Sequence, residues 1–296
     1  MAGKRLVVAS LDSVGCYCPV SIGTCDPCDL VNRYSCVREE AQSATEKFAC
    51  FPYASMYPLL TLLSRQVHKY IAVSEFIKQE YVKYGFRPSK IIVVPNSTHI
   101  SSWQFAITKP HKGINTIYVG RMVWSKSVDV LIKAFQKVSN KYPYVSLMLI
   151  GEGSELGSYR SLVKELNIET KVIFTGYVKQ EDLKYYYSIA DLFVYPSMFE
   201  TFGISLFEPM VYNVPALVSN HGAVKEVVKD AGVTFRMGQV QDLAEKMDML
   251  IGDPYKLLKL KERCKDVICQ YADDEVLEAF IKVYDDLLCN QKSVLV

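Results

Sequence analysis

From residue 113 onward the chain alternates six times between short β-branched runs and stretches of helical periodicity, a rhythm that leaves few folds open. Strands that alternate with helices pair in parallel, because each return to the same sheet edge needs a helical crossover. The pattern predicts strands over 116–120, 145–150, 172–175, 191–195, 215–219 and 232–236. Between the first two, Val128, Leu131, Ile132, Phe135 and Val138 recur at helical spacing and form one apolar stripe. The expectation is an α/β chain in which residues 111–274 form a complete Rossmann-type, doubly wound parallel sheet.

The first hundred residues carry less of this rhythm. Strands are predicted over 6–10, 70–73 and 91–94, with a helix over 75–84 that ends at Gly85. Residues 1–110 therefore read as a shortened α/β domain, and the polar stretch 99–113, with Pro110 and Gly113, as the linker. A final helix over 275–288 carries Val276, Leu277, Phe280, Ile281, Val283, Tyr284, Leu287 and Leu288. That is too much apolar surface for one stripe, so residues 275–296 are expected to bridge two surfaces and cross back to the first domain.

Lys plus Arg number 34 against 32 Asp plus Glu, a formal charge of +2. Such a balance lacks the basic footprint of a nucleic-acid binder and points to small anions or glycans as partners. No apolar run reaches the ~18 residues of a membrane span, and the first residues lack the features of a secretory leader. The expectation is a cytoplasmic protein. The apolar segment 53–67, broken by Pro58 and Arg65, reads as a packed helix or as one lying at a membrane interface.

Six of nine cysteines crowd the first fifty residues: Cys16, Cys18, Cys25, Cys28, Cys36 and Cys50. A structural zinc, disulfides and unlinked thiols all fit these spacings.

Two segments could carry chemistry. Gly120-Arg121 ends a predicted strand and Lys126 follows before the next helix, which puts two cations at a strand's carboxyl end. Open α/β sheets bind ligands there, and a diphosphate leaving group needs such a clamp. The plainer reading is a pair of solvated cations. The second segment runs from Pro196 through Glu200 and Gly203 to Glu208, after the fourth strand of this domain. Its two carboxylates lie too far apart to be helical neighbours and suit different parts of one long ligand. Gly203 allows close backbone approach at a helix start, where free N–H groups favour phosphate or sugar oxygens. The alternative is a capping Thr201 with two surface glutamates. The Gly151-Glu152-Gly153 run lacks the glycine spacing of a dinucleotide fingerprint and reads as a tight turn near the cleft. No D-x-D pattern and no histidine spacing suited to a metal is present, so no metal is expected in the site.

Taken together, Tyr118 to Asp129, Gly151-Glu-Gly153, Phe174-Thr-Gly-Tyr-Val178, Ala190 to Ser197 and the E-x7-E segment Glu200 to Glu208 resemble the successive motifs of the retaining family 4 glycosyltransferases of GT-B fold. The likeness covers roughly residues 70 to 288, and Val93-Val-Pro-Asn96 matches the strand end before the linker. It implies a hexosyltransferase that takes its sugar from a nucleotide diphosphate donor, UDP or GDP, and passes it to a glycan, lipid or protein acceptor without a metal.

On this resemblance Arg121 and Lys126, next to Gly120, bind the diphosphate, Glu200 the transferred sugar and Glu208 the ribose. The N–H groups of Phe202, Gly203 and Ile204 hold sugar or phosphate oxygens, and Val178 borders the base. Arg121, Lys126 and Glu200 are the candidate catalytic groups. This chain departs from the pattern at Ser127, a position that is usually glycine, and at Asn220-His221-Gly222, usually richer in glycine. Asp12 and Ser13 stand where many members carry a His-Asp pair, and several N-terminal βα units of the family have no counterpart. The alternative is a non-catalytic nucleotide-sugar-binding subunit that completes a partner enzyme. The thin first sheet and the apolar 53–67 segment also suggest association through residues 1–70, as a homodimer or with a partner protein.

Overall fold

The computed structural model describes residues 8–11, 67–83, 85–98 and 113–292, with backbone alone for 8–11 and 289–292. The early cysteines, Asp12 and Ser13, the segment 53–66 and the linker residues 99–112 lie outside the described residues. Two compact units emerge, one taking in Met1–Pro95 with Leu277–Val296, the other Asn96–Val276.

In the first unit, three parallel strands lie in the order β1 (Val8–Leu11), β2 (Lys69–Ala72), β3 (Ile91–Val93). Helix α1 (Glu75–Lys83) joins β2 to β3. Its start is set by Ser74, whose Oγ accepts the Ile77 N–H at 3.1 Å, so one of the unpaired donors of the first turn is satisfied. Ile77 is fully buried.

The second unit contains a six-stranded, all-parallel sheet: β4 (Ile114–Val119), β5 (Val145–Ile150), β6 (Val172–Gly176), β7 (Leu192–Tyr195), β8 (Ala216–Ser219) and β9 (Gly232–Phe235). Their order across the sheet is β6-β5-β4-β7-β8-β9. The chain starts at β4, moves outward through β5 and β6, then returns to the other side of β4 to lay down β7, β8 and β9. This is the nucleotide-binding strand order, and its direction reverses between β4 and β7.

Helix α2 (Val128–Lys141) buries the predicted stripe, with Val128, Leu131, Ile132 and Phe135 fully covered. Asp191 was expected to open β7 but stands one residue before it, buried. There its carboxylate accepts the Asn115 N–H at 2.9 Å and pairs with Lys261 at 2.9 Å, tying the amino ends of β4 and β7 together. Helices α3 (Leu156–Glu165), α4 (Leu183–Ile189), α5 (Phe207–Val211), α6 (Val224–Val228), α7 (Val240–Ile251) and α8 (Pro254–Cys269) complete this unit.

The last helix, α9, runs over Asp273–Lys292, longer than expected at both ends. Its apolar residues divide into two stripes. Val276, Val283 and Leu287 are buried, whereas Leu277, Ile281, Tyr284 and Leu288 are exposed. The excess apolar surface that suggested a bridge is therefore half covered among the described residues.

Candidate functional site

Because every strand of the second sheet runs the same way, the loops after β4, β5, β6, β7 and β8 leave from one edge. The loops after β4 and β5 touch backbone to backbone. Gly120 N–H donates to Ile150 O at 3.0 Å, and Met122 N–H to Glu152 O at 2.8 Å. Gly151 N–H in turn donates to Gly176 O at 2.9 Å, which brings in the loop after β6. The Gly151-Glu152-Gly153 turn is thus tied by backbone hydrogen bonds to the loops after β4 and β6.

The loop after β4 forms one 3-10 turn, Trp124–Lys126, and then Ser127 takes a left-handed conformation, φ 49° and ψ 41°, just ahead of α2. A side chain costs about 1–2 kcal/mol in that region, which is the physical reason glycine suits this position. The turn aims Lys126 across the switch point toward the loop after β7. There its Nζ meets Glu200 Oε1 and donates to the Tyr195 hydroxyl at 3.1 Å. The side chains of Lys126 and Glu200 are only 14 % and 15 % exposed.

Burial alone would lower the lysine pKa. The neighbouring Tyr195 and Glu200 outweigh it and hold Lys126 above its usual range. Two hydroxyls complete the cluster: Tyr195 donates to Glu200 Oε1 at 2.9 Å and Ser197 at 2.8 Å. Tyr195 is buried, and burial, then the Glu200 charge, push its pKa up.

Arg121 behaves differently from Lys126. It is exposed, and among the described residues it forms no ion pair, while its carbonyl accepts the Tyr118 hydroxyl at 2.9 Å. Of the two expected cations, one is therefore neutralised in place and the other is open to an incoming anion. Lys126 is not the solvated cation of the plainer reading.

Glu208 lies on α5, apart from the Lys126 cluster, and its hydrogen-bond partners differ from those of Glu200. It receives the side-chain amide of Gln180, two residues after Val178, and also faces Tyr187. Burial raises the Glu208 pKa, and the Tyr187 hydrogen bond partly offsets this. The structure thus places the two glutamates at separate stations, one at the switch point and one toward the loop after β6.

Between them, Gly203 adopts φ 97° and ψ 52° and caps the short turn Ile204–Leu206. The N-cap residue is thus Gly203, two positions after Thr201. Phe202 turns its ring inward against Phe207 and Tyr271, with centroids 5.6 Å and 5.9 Å away, so only its backbone is left to meet a ligand. The Asn220-His221-Gly222 turn packs on the same loop, with Ala223 N–H donating to Glu200 O at 3.0 Å.

Sequence reasoning did not single out Tyr195, Ser197 or Gln180. For the first two a signal existed: polar hydroxyls at and just beyond the end of a strand whose other side chains are apolar. Gln180 offered none. Among the described residues no group of His, Cys, Asp and Glu is arranged to hold a metal, and no helix is long and apolar enough to cross a membrane.

Comparison with known proteins bears on this arrangement. The family model for glycosyl transferases group 1 matches residues 100–267, more than half of the chain. An uncharacterised glycosyltransferase of Methanocaldococcus jannaschii is 28% identical over 232 residues, 72% of this chain and 59% of that protein. The N-acetyl-alpha-D-glucosaminyl L-malate synthase of Bacillus anthracis is 25% identical over 213 residues, 71% of this chain and 54% of that enzyme. The chain thus spans little more than half the length of these two relatives. Among solved structures, HepE of Anabaena in complex with UDP superposes with a TM-score of 0.72 at 19% identity, covering 96% of this chain and 72% of that one.

Proposed function

The chain belongs to the group 1 glycosyl transferases and has the GT-B fold, and from that premise we propose that it transfers a hexose from a nucleoside diphosphate donor to a hydroxyl acceptor with retention of configuration. The observation that carries the reading is the Lys126–Glu200 pair at the β4/β7 switch point with Arg121 exposed beside it. In this reading the donor's diphosphate lies against Arg121 and Lys126, its sugar against Glu200, and its ribose against Glu208. The N–H groups of Phe202, Gly203 and Ile204 take the remaining oxygens, and Val178 borders the base. UDP complexes of the Anabaena relative support this donor class.

The chemistry follows from charge. As the glycosidic bond breaks, negative charge accumulates on the departing diphosphate and positive charge on the sugar ring. Two cations already at this strand edge, Arg121 and Lys126, stabilise the first. Glu200, carrying the opposite sign, faces the second. The proposal needs no metal, since Arg121 and Lys126 supply the positive charge that a divalent ion supplies elsewhere.

Titration with UDP and GDP, and with their sugar conjugates, in excess chelator tests the reading. Binding of at least one pair, with release of free sugar or transfer to added acceptors, is the expected result. Activity that vanishes in chelator and returns only with manganese or magnesium would remove the metal-free mechanism.

Asp12 and Ser13, at positions where many members carry a His-Asp pair, favour the second reading, a sugar-nucleotide-binding subunit that completes a partner. Binding without turnover, with turnover restored by the partner, would select it. Association through residues 1–70 belongs to the same proposal, and sedimentation at micromolar concentration tests it.

A further inference from the structure

Glu200 is held by one oxygen only. Its Oε1 receives Lys126 Nζ, the Tyr195 hydroxyl at 2.9 Å and the Ser197 hydroxyl at 2.8 Å, while Oε2 has no partner among the described residues. A carboxylate anchored through a single oxygen presents the other in a fixed direction.

The three donors are not equivalent. Lys126 reaches Glu200 through a long side chain with several rotatable bonds, and its charge is what a bound diphosphate attracts. The hydroxyls are fixed. The Tyr195 ring is 4% exposed and stacks between Tyr118, 6.4 Å away, and Phe193, 5.8 Å away. Ser197, two residues beyond the end of the same strand, is 1% exposed, and of its possible acceptors the Glu200 carboxylate is the nearest. Burial keeps the Tyr195 hydroxyl protonated, so it remains a donor at any ordinary pH.

We infer that Tyr195 and Ser197 are positioning residues: they hold Glu200 with Oε2 toward the transferred sugar after the donor's phosphates have drawn Lys126 away. Without them the lysine would have two tasks at once, neutralising the phosphates and orienting the carboxylate, and donor binding itself would loosen Glu200. With them, phosphate recognition and sugar recognition are separable. The inference rests on the donor reading above and adds to it which residues carry sugar discrimination.

The test is isothermal titration of the parent, Tyr195→Phe, Ser197→Ala and the double variant with UDP and UDP-glucose, and with GDP and GDP-mannose. Both substitutions delete a single oxygen and keep the surrounding packing. For the pair that the parent binds, the double variant should lose about tenfold or more in affinity for the sugar nucleotide, the scale of a hydrogen bond to a charged group, and keep the bare diphosphate within about twofold. Each single variant should show part of the same selective loss, which keeps the test open should the double variant fail to fold. Equal losses for both ligands, or none for either, overturn the inference. A parent that binds none of the four ligands overturns the donor reading itself and this inference with it, an outcome visible before any substitution is made.

Discussion

A β-carbon at Gly151 would collide with the carbonyl oxygen of Gly120, because the loops that follow β5 and β4 run in backbone contact. Gly151 also holds φ at 130°, where side chains are strained. Gly151→Ala should therefore destabilise the protein by about 2 kcal/mol or more, from steric overlap and backbone strain together. It should also move Arg121, the residue after Gly120, and weaken diphosphate binding. Gly157→Ala provides the contrast: this glycine lies within α3, where an added methyl meets nothing within 4 Å. Helix propensity alone makes that change stabilising by about 0.5–1 kcal/mol. Urea melts of both variants decide the matter, and a mild cost at Gly151 would show that the loops can part.

Glu208 should trade stability for binding. Burial raises its folded-state pKa above the unfolded value, so its charged form is disfavoured by folding. For a carboxylate shifted in this direction there is no penalty at acid pH, where both states are protonated, and the penalty builds as pH rises through the folded pKa. Glu208→Gln should then match the parent near pH 4, the usual carboxylate range, and equal or exceed its stability at about pH 7. The glutamine can still face Gln180, so folding is preserved. If Glu208 contacts the ribose, the same variant binds nucleotides more weakly. Melting temperatures across pH, set beside nucleotide titrations, separate the two effects, and a variant that loses stability at neutral pH would contradict the sign.

Fold and site are not equally legible in the sequence. Strand positions in the second sheet came within two residues, because buried parallel strands write themselves as compact β-branched runs and their crossover helices as single stripes. The cations and carboxylates stood out as charges beside strand ends. Their partnership did not, since Lys126 and Glu200 are 74 residues apart and only the return of the chain from β6 to β7 makes them neighbours. The expectation that Arg121 and Lys126 act alike missed the difference for the same reason. On α9, spacing revealed more apolar surface than one stripe needs, and could not reveal which stripe the fold covers.

Ser127 gives a test of local strain in the loop between β4 and α2. It is buried and left-handed, with no cap hydrogen bond from its side chain. Replacing it with glycine removes a conformational cost of about 1–2 kcal/mol and adds back some unfolded-state entropy. Ser127→Gly should be stabilising by a few tenths to about 1 kcal/mol, with Lys126 geometry and nucleotide affinity unchanged. Ser127→Val should be destabilising by more than the glycine gains, because a β-branched residue is an outlier there. Calorimetry on both variants checks the order, and destabilisation by glycine would mean the serine side chain contributes a contact worth more than the strain.

Arg121 and Lys126 should separate when each is replaced. Lys126→Met leaves Glu200, 15 % exposed, with its two hydroxyl donors and no countercharge, a loss of about 1–3 kcal/mol in stability. Arg121→Ala removes an exposed cation that has no ion pair among the described residues, so stability should stay within about 0.5 kcal/mol. In binding the two converge, since both cations face the diphosphate, and Arg121→Ala should cost about 1.5–3 kcal/mol of nucleoside diphosphate affinity. The pH dependence identifies the cause of the stability loss. The Lys126 pKa is raised in the folded state, so its contribution is complete below the unfolded lysine value and fades only as pH climbs through the folded one. The gap between parent and Lys126→Met should accordingly stay level from about pH 6 to 9 and narrow in stronger alkali. Adding Glu200→Gln to Lys126→Met removes the stranded charge and should recover most of the stability without recovering binding. If the double variant stays as unstable as Lys126→Met, the loss comes from the lysine ammonium over the Tyr195 ring, 5.2 Å from its centroid, and not from the ion pair.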